Sequence, residues 1–288
     1  MHLALAQMKP DLNNKAGNLE TILELTGQAA EAGADLVVFP EMALTGYVCG
    51  KKFLEHAEPL SGPSVTKVAQ QAKAKGISVL FGMPELSGSL VFNAAVFVEP
   101  TGVLGSYRKV HLVTFEFAGV RYDEHMYFKP GARLTPFATR FGPIGVEICY
   151  DIWFPELVRG FCLQGAWLVI NISAAPDDVP EIFQLLGRAR AAENQGYFAY
   201  VNEVGPQEGV NFRGGSYLSD NTGQVIKSAS YGEEVRQELV LVELDPKHIT
   251  QARLDLPLLR DVRPEVWRSL AHMTEQLYFP SKQFSVQL

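Results

Sequence analysis

Three residues whose side chains could together cleave an acyl bond stand where strands predicted from the sequence end. Cys149 closes an apolar run and is followed within six residues by Pro155, which cannot continue a strand. Glu41 comes just after the apolar run at 35–39, and Lys109 comes just after the run at 103–107. Ligands of open α/β domains bind at the carboxyl ends of strands. The three side chains could therefore converge on one crevice.

The chemistry that these residue types offer is nucleophilic attack by a thiol. A cysteine is only a few per cent thiolate at neutral pH and needs a base or a cation beside it. A glutamate can accept the thiol proton, and a lysine can stabilise the anion that forms when sulfur attacks a carbon bearing oxygen or nitrogen. Cys149, Glu41 and Lys109 would suffice for acyl transfer, and His56 and His111 stand in no motif that marks them as a cysteine's base.

Each of the three residues also has an ordinary explanation when it is taken alone. Cys149 could be a core cysteine, because free cysteine is among the most buried residue types. Glu41 could be a solvated acid in a loop. Lys109, next to Arg108, could be a surface lysine. Only their combination points to catalysis.

The predicted elements around these residues alternate as in an α/β domain. A helix between the first two strands predicts a βαβ unit, and no linker, repeat or low-complexity segment divides the chain. We therefore expect a single domain over residues 1–288. The predicted strands are 2–8, 35–39, 77–81, 90–98, 103–107, 137–149, 167–173, 197–202, 215–219, 225–228 and 239–244, and the predicted helices are 18–32, 64–75, 154–164 and 178–195.

In two stretches the apolar residues recur at neither helical nor strand spacing. Residues 109–131 are predicted to form a long irregular loop, and long ordered loops in compact domains are usually functional. The segment from about 246 to 288 carries Trp267, Tyr278 and Phe279 in an irregular pattern. Apolar side chains in such a segment predict packing against a neighbouring subunit.

Composition excludes several classes of partner. With 288 residues, 47% hydrophobic content, a formal net charge of −7 and a pI near 5.4, the chain lacks the clustered basic residues that nucleic acid or an anionic membrane requires. Three cysteines without regular spacing favour a reducing compartment, so we expect a cytoplasmic protein. We find neither a signal peptide nor an apolar window long enough to cross a membrane.

Four segments of the chain resemble the nitrilase or carbon-nitrogen hydrolase superfamily, in particular its amidase-like branch. They are FPEMALTGY around Glu41, YRKVHL around Lys109, GVEICYDIWFPE around Cys149, and GRARAAENQGYFAYVNEVG further along the chain. The resemblance implies a four-layer αββα sandwich with two mixed sheets flanked by helices, and subunits that pair into an eight-layered homodimer. It also implies that Glu41, Lys109 and Cys149 form a catalytic triad.

The resemblance implies further site residues. Family members carry a second glutamate in the loop after the lysine, and in DEHMYFKPG this position is similar to Glu124. Glu116 and Asp123 lie in the same loop, and the loop lacks the proline that many relatives have soon after the lysine. Positions that resemble pocket-lining residues, although the aromatic ones could equally belong to the core, are Tyr47, Tyr150, Trp153, Ser173 and Ala174.

The implied reaction is hydrolysis of an amide or N-carbamoyl bond of a small molecule through a thioester on Cys149, without metal or organic cofactor. CYDIWFPE is more similar to amidases and carbamoylases than to nitrilases, in which a Trp-Glu pair commonly follows the cysteine. GVEIC is also similar to the glutamine-hydrolysing domain of NAD synthetases, but no synthetase domain follows. The alternatives are a nitrilase, a glutamine-type amidase, and a non-catalytic binding or scaffold protein, which would have no need of the triad.

Overall fold

The computed structural model describes residues 1–117, 120–177, 179–232 and 235–278. Its strands are β1 His2–Gln7, β2 Leu36–Val38, β3 Ser78–Ser87, β4 Leu90–Glu99, β5 Gly102–Arg108, β6 Thr114–Phe117, β7 Val120–Asp123, β8 Phe137–Thr139, β9 Gly142–Ile148, β10 Leu168–Ser173, β11 Tyr197–Asn202, β12 Val204–Gln207, β13 Val210–Arg213, β14 Tyr217–Ser219, β15 Val225–Ser228 and β16 Glu238–Glu243. Its α-helices are α1 Lys15–Glu31, α2 Lys52–His56, α3 Pro63–Lys75, α4 Pro155–Leu163, α5 Val179–Asn194, α6 Pro246–Asp255 and α7 Pro264–Tyr278.

Two six-stranded mixed sheets form the centre of the molecule. The first has the order β16-β1-β2-β3-β4-β5, and the second has the order β15-β14-β11-β10-β9-β8. β1 and β2 pair in parallel and are joined by α1, so the predicted βαβ unit is confirmed. β9, β10 and β11 are likewise parallel neighbours. The carboxyl ends of β2 and β9, which precede Glu41 and Cys149, thus belong to different sheets.

Helices cover the outer face of each sheet. One apolar cluster joins α1 and α3 to the first sheet through side chains such as Ile22, Val68 and Phe81. A second cluster lies between the sheets and continues under α4 and α5, and it includes Phe97, Ile148 and Phe161. Helix, sheet, sheet and helix follow one another in four layers. The predicted αββα sandwich is therefore confirmed.

Local signals explain where several helices begin and end. Asn14 caps α1 by accepting a 3.1 Å hydrogen bond from the amide of Gly17, which satisfies one of the free N–H groups at a helix start. Gly76 ends α3 with φ of 68°, a left-handed conformation that glycine adopts without a steric penalty.

Three predictions of local structure were wrong. Residues 137–149 were expected to form one strand, but β8 and β9 pair as a hairpin, and Gly142 after the turn has φ of 93°. The loop expected at 109–131 contains the β6–β7 hairpin and a short 3-10 helix at Glu124–Met126. The irregular tail expected after Pro246 contains α6 and α7. Residues 178 and 279–288, which belong to the predicted α5 and tail, lie outside the described residues.

Candidate active site

Glu41 lies in the turn that follows β2. The turn is tight, because Met42 has φ of 51° and the amide of Gly46 donates to the carbonyl of Met42 at 2.8 Å. β3 passes directly beneath this turn at Gly82, where a Cβ atom would lie 2.4 Å from the nitrogen of Met42. Glycine at position 82 therefore allows the close approach that fixes the base of the turn and buries Glu41 completely.

Lys109 follows β5, and the backbone holds it on both sides. Its amide donates to the carbonyl of Asn93 at 2.8 Å, and its carbonyl accepts from the amide of Gly131 at 2.7 Å. The side chain is fully buried. Long charged side chains are almost never fully buried unless they are paired, so the surroundings of the ammonium group must supply its partners.

Cys149 stands at a sharp bend between β9 and a 3-10 helix at Cys149–Trp153. Its φ of 48° places it in the left-handed region. This conformation is uncommon for a residue with a side chain, and it is found at functional sites where the surrounding structure enforces it. Asn171 on the neighbouring strand β10 donates to the carbonyl of Cys149 at 3.3 Å and thereby helps to hold the bend.

The Lys109 ammonium group joins two buried carboxylates. Nζ lies 2.9 Å from Oε1 of Glu41 and 2.8 Å from Oε1 of Glu124. Asn93 donates from Nδ2 to the same two oxygens, at 2.6 Å and 3.3 Å respectively. Tyr47 adds a hydroxyl donor to Glu124 at 2.9 Å. The structure thus brings Glu41, Lys109 and Glu124 into one hydrogen-bonded cluster.

Burial and charge act in opposite directions on the groups of this cluster. Burial disfavours the ammonium form of Lys109, but the negative charges of Glu124 and Glu41 outweigh burial and raise its pKa well above the usual value. Burial raises the pKa of Glu124, and the positive charge of Lys109 opposes that shift. Lys109 therefore stays charged while a proton moves elsewhere in the site.

The Cys149 thiol is protonated in the resting site. Burial raises its pKa well above the ordinary value, the negative charge of Glu41 raises it further, and the positive charge of Lys109 opposes both effects. A thiol in these surroundings is not activated by a lowered pKa. Its activation requires a base, and the carboxylate close enough to influence it most strongly is that of Glu41.

The second glutamate of the sequence analysis had two candidates in one loop. Glu124 is buried against Lys109, and its Oε2 also accepts from the amide of Val113 at 2.9 Å. Glu116 lies in β6, and its side chain is exposed. The geometry therefore supports Glu124.

The other predicted site residues differ in their placement. Ala174 lies beside the cluster and donates its amide to Oε2 of Glu41 at 2.8 Å. Ser173 is fully buried and donates to Asn171 at 2.7 Å, so its hydroxyl is engaged within the core. Tyr150 is partly exposed and packs edge-on against Phe154. Trp153 is 44% exposed and lies at the surface. Contacts of these residues with substrate remain predictions.

Sequence reasoning missed Asn93 and did not interpret Asp151. Asn93 interrupts the apolar pattern of β4, and this lone polar residue in a buried strand was the available signal. Asp151 is fully buried and accepts hydrogen bonds from Tyr107, His111 and Ile148. Asn93 lies outside the four segments that carry the family resemblance, and Asp151 lies within the segment around Cys149, where the sequence alone does not show which groups it contacts.

A cavity of about 280 Å³ adjoins the cluster. Tyr47 and Glu124 form part of its wall, and Phe53, Tyr127 and Phe128 supply aromatic surface. In the described part of the chain, no group of three or more His, Cys, Asp or Glu side chains is arranged to hold a metal ion. Among those same residues, no helix has the length and apolar character needed to span a bilayer.

Comparison with known proteins places this arrangement in a family. The chain is 35% identical to an (R)-stereoselective amidase from Pseudomonas sp. over 264 residues, covering 91% of this chain and 92% of that protein. It is 31% identical to the omega-amidase NIT2 of Xenopus tropicalis, covering 88% and 92%. It is also 35% identical to a glutamine-dependent NAD(+) synthetase of Thermotoga maritima, but there it spans only 42% of the relative.

Solved structures agree with these relatives. An amidase from Nesterenkonia sp. AN1, determined in complex with acrylamide, superposes with a TM-score of 0.80 at 28% identity, covering 94% of this chain and 97% of that one. The structure of a single mutant of that amidase, at a TM-score of 0.79, 28% identity and coverage of 93% and 96%, shows the acetamide moiety of fluoroacetamide added covalently at the active-site cysteine. The carbon-nitrogen hydrolase family model matches residues 2–254. The chain therefore belongs to the carbon-nitrogen hydrolase family, within the nitrilase superfamily.

Proposed function

We propose that this protein hydrolyses the carbon-nitrogen bond of a small amide through a thioester on Cys149. The observation that carries the proposal is the buried ammonium group of Lys109, held between Glu41 and Glu124 at 2.9 and 2.8 Å, next to a cysteine at a strained strand end. Burial of a lysine beside two carboxyl groups is costly, and a scaffold protein would gain nothing from this cluster. The amidases among the relatives support the same substrate class.

The first half of the reaction forms the thioester and releases the amine. Glu41 accepts the proton of the Cys149 thiol as sulfur attacks the amide carbon. Lys109 and the backbone N–H of Tyr150 stabilise the oxyanion that develops on the carbonyl oxygen, because donors held in fixed positions in a buried site are effective there. The carbon-nitrogen bond then breaks, Glu41 returns the proton to the nitrogen, and ammonia or an amine departs.

The second half consumes water. Glu41 accepts a proton from a water molecule as its oxygen attacks the thioester carbon, and Lys109 again stabilises the oxyanion. The carbon-sulfur bond breaks, the thiol regains its proton, and the carboxylic acid leaves. Glu124 holds Lys109 in position throughout. Every proton transfer in this scheme runs between Glu41 and one other group: the Cys149 thiol, the substrate nitrogen or the attacking water.

We also propose a cytoplasmic homodimer. The three cysteines are unpaired and buried, which supports a reducing compartment. Helix α7 exposes an apolar stripe at the spacing of one helix face, with Val266 55%, Leu270 50%, Met273 58% and Leu277 80% exposed. An apolar stripe of this kind marks an interaction surface, and we propose that it packs against a second copy, together with exposed residues of α4 such as Leu163.

The test of the proposed reaction is release of ammonia from a panel of linear amides, N-carbamoyl amino acids, ureido acids and nitriles. We expect turnover of at least one amide by the wild type and none by Cys149→Ala. Cys162→Ala serves as the matched control, because Cys162 is also buried but lies in α4 away from the cluster. Turnover of nitriles alone, or retained activity in Cys149→Ala, would refute the proposal.

A further inference from the structure

We propose that Asp151 is a positioning residue that fixes the placement of Lys109 relative to Cys149, an inference that rests on the proposed function. Lys109 follows β5 at the edge of the first sheet, and Cys149 follows β9 in the second sheet. Strand pairing cannot set the distance between them, because the two strands belong to different sheets. A side chain that bonds to both segments can set it directly.

On the Lys109 side, the Asp151 carboxylate bonds to residues before and after the lysine. The hydroxyl of Tyr107 donates to Oδ2 at 2.8 Å. The amide of His111 donates to Oδ1 at 2.9 Å, and Nδ1 of the same residue lies 2.8 Å from Oδ1. The carboxylate thus holds positions 107 and 111, which bracket Lys109.

On the Cys149 side, the Asp151 carboxylate accepts a hydrogen bond from within the bend to which Asp151 itself belongs. Oδ2 accepts from the amide of Ile148 at 3.2 Å, and Asp151 itself lies in the 3-10 helix that begins at Cys149. These contacts bracket the nucleophile just as the others bracket the lysine. One fully buried carboxylate therefore connects the two catalytic segments.

The partners of Asp151 are themselves held in place. The imidazole of His111 stacks on the ring of Phe154, with centroids 3.5 Å apart and planes 6° apart. Tyr107 is buried and packs edge-on against Phe161. Burial followed by the charge of Asp151 raises the pKa of Tyr107 well above its usual value, so its hydroxyl remains a donor. Because these partners are themselves packed parts of the Lys109 segment, a change in the carboxylate acts directly on the backbone on either side of Lys109.

The test compares two buried carboxylates that both bond to β5. Asp151→Asn keeps the size of the side chain, but its NH₂ group replaces a carboxylate oxygen that accepts hydrogen bonds from Tyr107, His111 or Ile148. Glu85→Gln is the matched control, because Glu85 is also buried and accepts from Ser106 at 2.6 Å and from Arg108 at 3.1 Å, yet it makes no bond to the Cys149 bend. For each folded variant we would measure Tm, kcat, KM and the pH profile of Cys149 alkylation by iodoacetamide.

We expect Asp151→Asn to lower kcat on the order of 10²-fold, since small misplacements have effects of this size, while KM stays within about threefold. The midpoint of alkylation should move to higher pH, because the ammonium group that favours the thiolate lies further from sulfur. Glu85→Gln should lower Tm without either change. Equal effects of the two variants on kcat, or an unchanged alkylation midpoint in Asp151→Asn, would overturn the inference.

A second variant and a readout that does not depend on amide turnover cover the cases in which the first comparison fails. If Asp151→Asn does not fold, Tyr107→Phe removes one donor to the same carboxylate and must reduce kcat roughly tenfold at unchanged KM; an unchanged kcat then refutes the inference. If the wild type hydrolyses no amide at all, the proposed function fails, and the alkylation profiles of Asp151→Asn and Glu85→Gln alone decide the positioning role.

Discussion

The backbone amide of Ala174 donates a 2.8 Å hydrogen bond to Oε2 of Glu41. The other carboxylate oxygen, Oε1, accepts from Nζ of Lys109 at 2.9 Å and from Nδ2 of Asn93 at 2.6 Å. Both oxygens are therefore held, and the carboxylate cannot rotate freely. A base with a fixed orientation is what proton exchange with a neighbouring thiol requires.

Glu41→Gln should stop both halves of the reaction. The amide cannot accept a proton, and its NH₂ group must face Lys109 or the amide of Ala174, both of which are donors. We expect kcat/KM to fall by roughly 10² to 10⁴ or more. Steady-state ammonia release measures the loss. Activity within tenfold of the wild type would contradict the role of Glu41 as the base.

Glu124→Gln should impair turnover while leaving the thiol able to react. The change weakens the 2.8 Å contact that positions Lys109 but removes no group that exchanges protons with sulfur. We expect slow amide hydrolysis with measurable alkylation of Cys149 by iodoacetamide.

The control for that experiment is Glu116→Gln, because Glu116 lies in the same region with an exposed side chain. It should behave as the wild type does. An inactive Glu116→Gln beside a fully active Glu124→Gln would show that the second glutamate has been misassigned.

Glu147 should make the folded state less stable as pH rises. Burial raises its pKa from 4.5 to about 8, so the folded protein retains this proton over a pH range in which the unfolded chain has lost it. Between about pH 4.5 and 8 this group should reduce the free energy of unfolding by up to about 1.4 kcal/mol per pH unit. The stability that protonated Glu147 contributes is fully present below its pKa in the unfolded chain. It is lost as the pH rises through its pKa in the folded protein.

Urea unfolding of wild type and Glu147→Gln at pH 5, 7 and 8.5 would test this sign. The glutamine can keep the contact with Asn171, which donates to Oε1 of Glu147 at 3.0 Å, and it cannot ionise. As the pH rises, the free energy of unfolding of the wild type should fall relative to that of Glu147→Gln. A difference that is constant with pH, or that moves the other way, would contradict the raised pKa.

The apolar stripe of α7 should control assembly. Leu270→Glu places a charge at the centre of the stripe, where Leu270 is 50% exposed in the single chain, and should shift a dimer toward monomer. Ala271→Glu, one residue along and turned away from the stripe, adds the same charge and should leave the dimer intact. Light scattering at micromolar concentration measures both. A wild type that is strictly monomeric would refute the dimer.

Secondary structure was predicted correctly from the sequence where a local pattern of residues determines it. Apolar runs interrupted by Pro40 and Pro155 marked the strand ends that hold Glu41 and Cys149, and those ends were predicted correctly. The hairpin at 137–148 was missed, because the strand pattern predicted over 137–149 did not show that the chain turns at 140–141, just before Gly142. Helix α7 was missed although its apolar residues recur at helical spacing.

The parts of the site that escaped prediction depend on packing in three dimensions. The sequence predicted that Glu41 and Lys109 converge and that Glu124 is the second glutamate, but not that one ammonium group bridges both carboxylates, across 68 and 15 positions of the chain. Asn93 contacts Glu41 across 52 positions, and Asp151 meets Tyr107 across 44. No spacing rule in one sequence links such residues. Their partners follow from the two-sheet architecture, which brings the carboxyl ends of β2, β5 and β9 together beside Asn93 of β4.

The most direct test of thioester catalysis is mass spectrometry of the protein after brief incubation with an activated ester or amide. We expect an acyl adduct on the peptide that carries Cys149, formed by the wild type and by Cys162→Ala but absent from Cys149→Ala. Cys49 and Cys162 are suitable internal references, because burial raises the pKa of each to about 11 and neither has Glu41 as a base. An adduct on Cys49 or Cys162, or amide turnover by Cys149→Ala, would show that Cys149 is not the nucleophile.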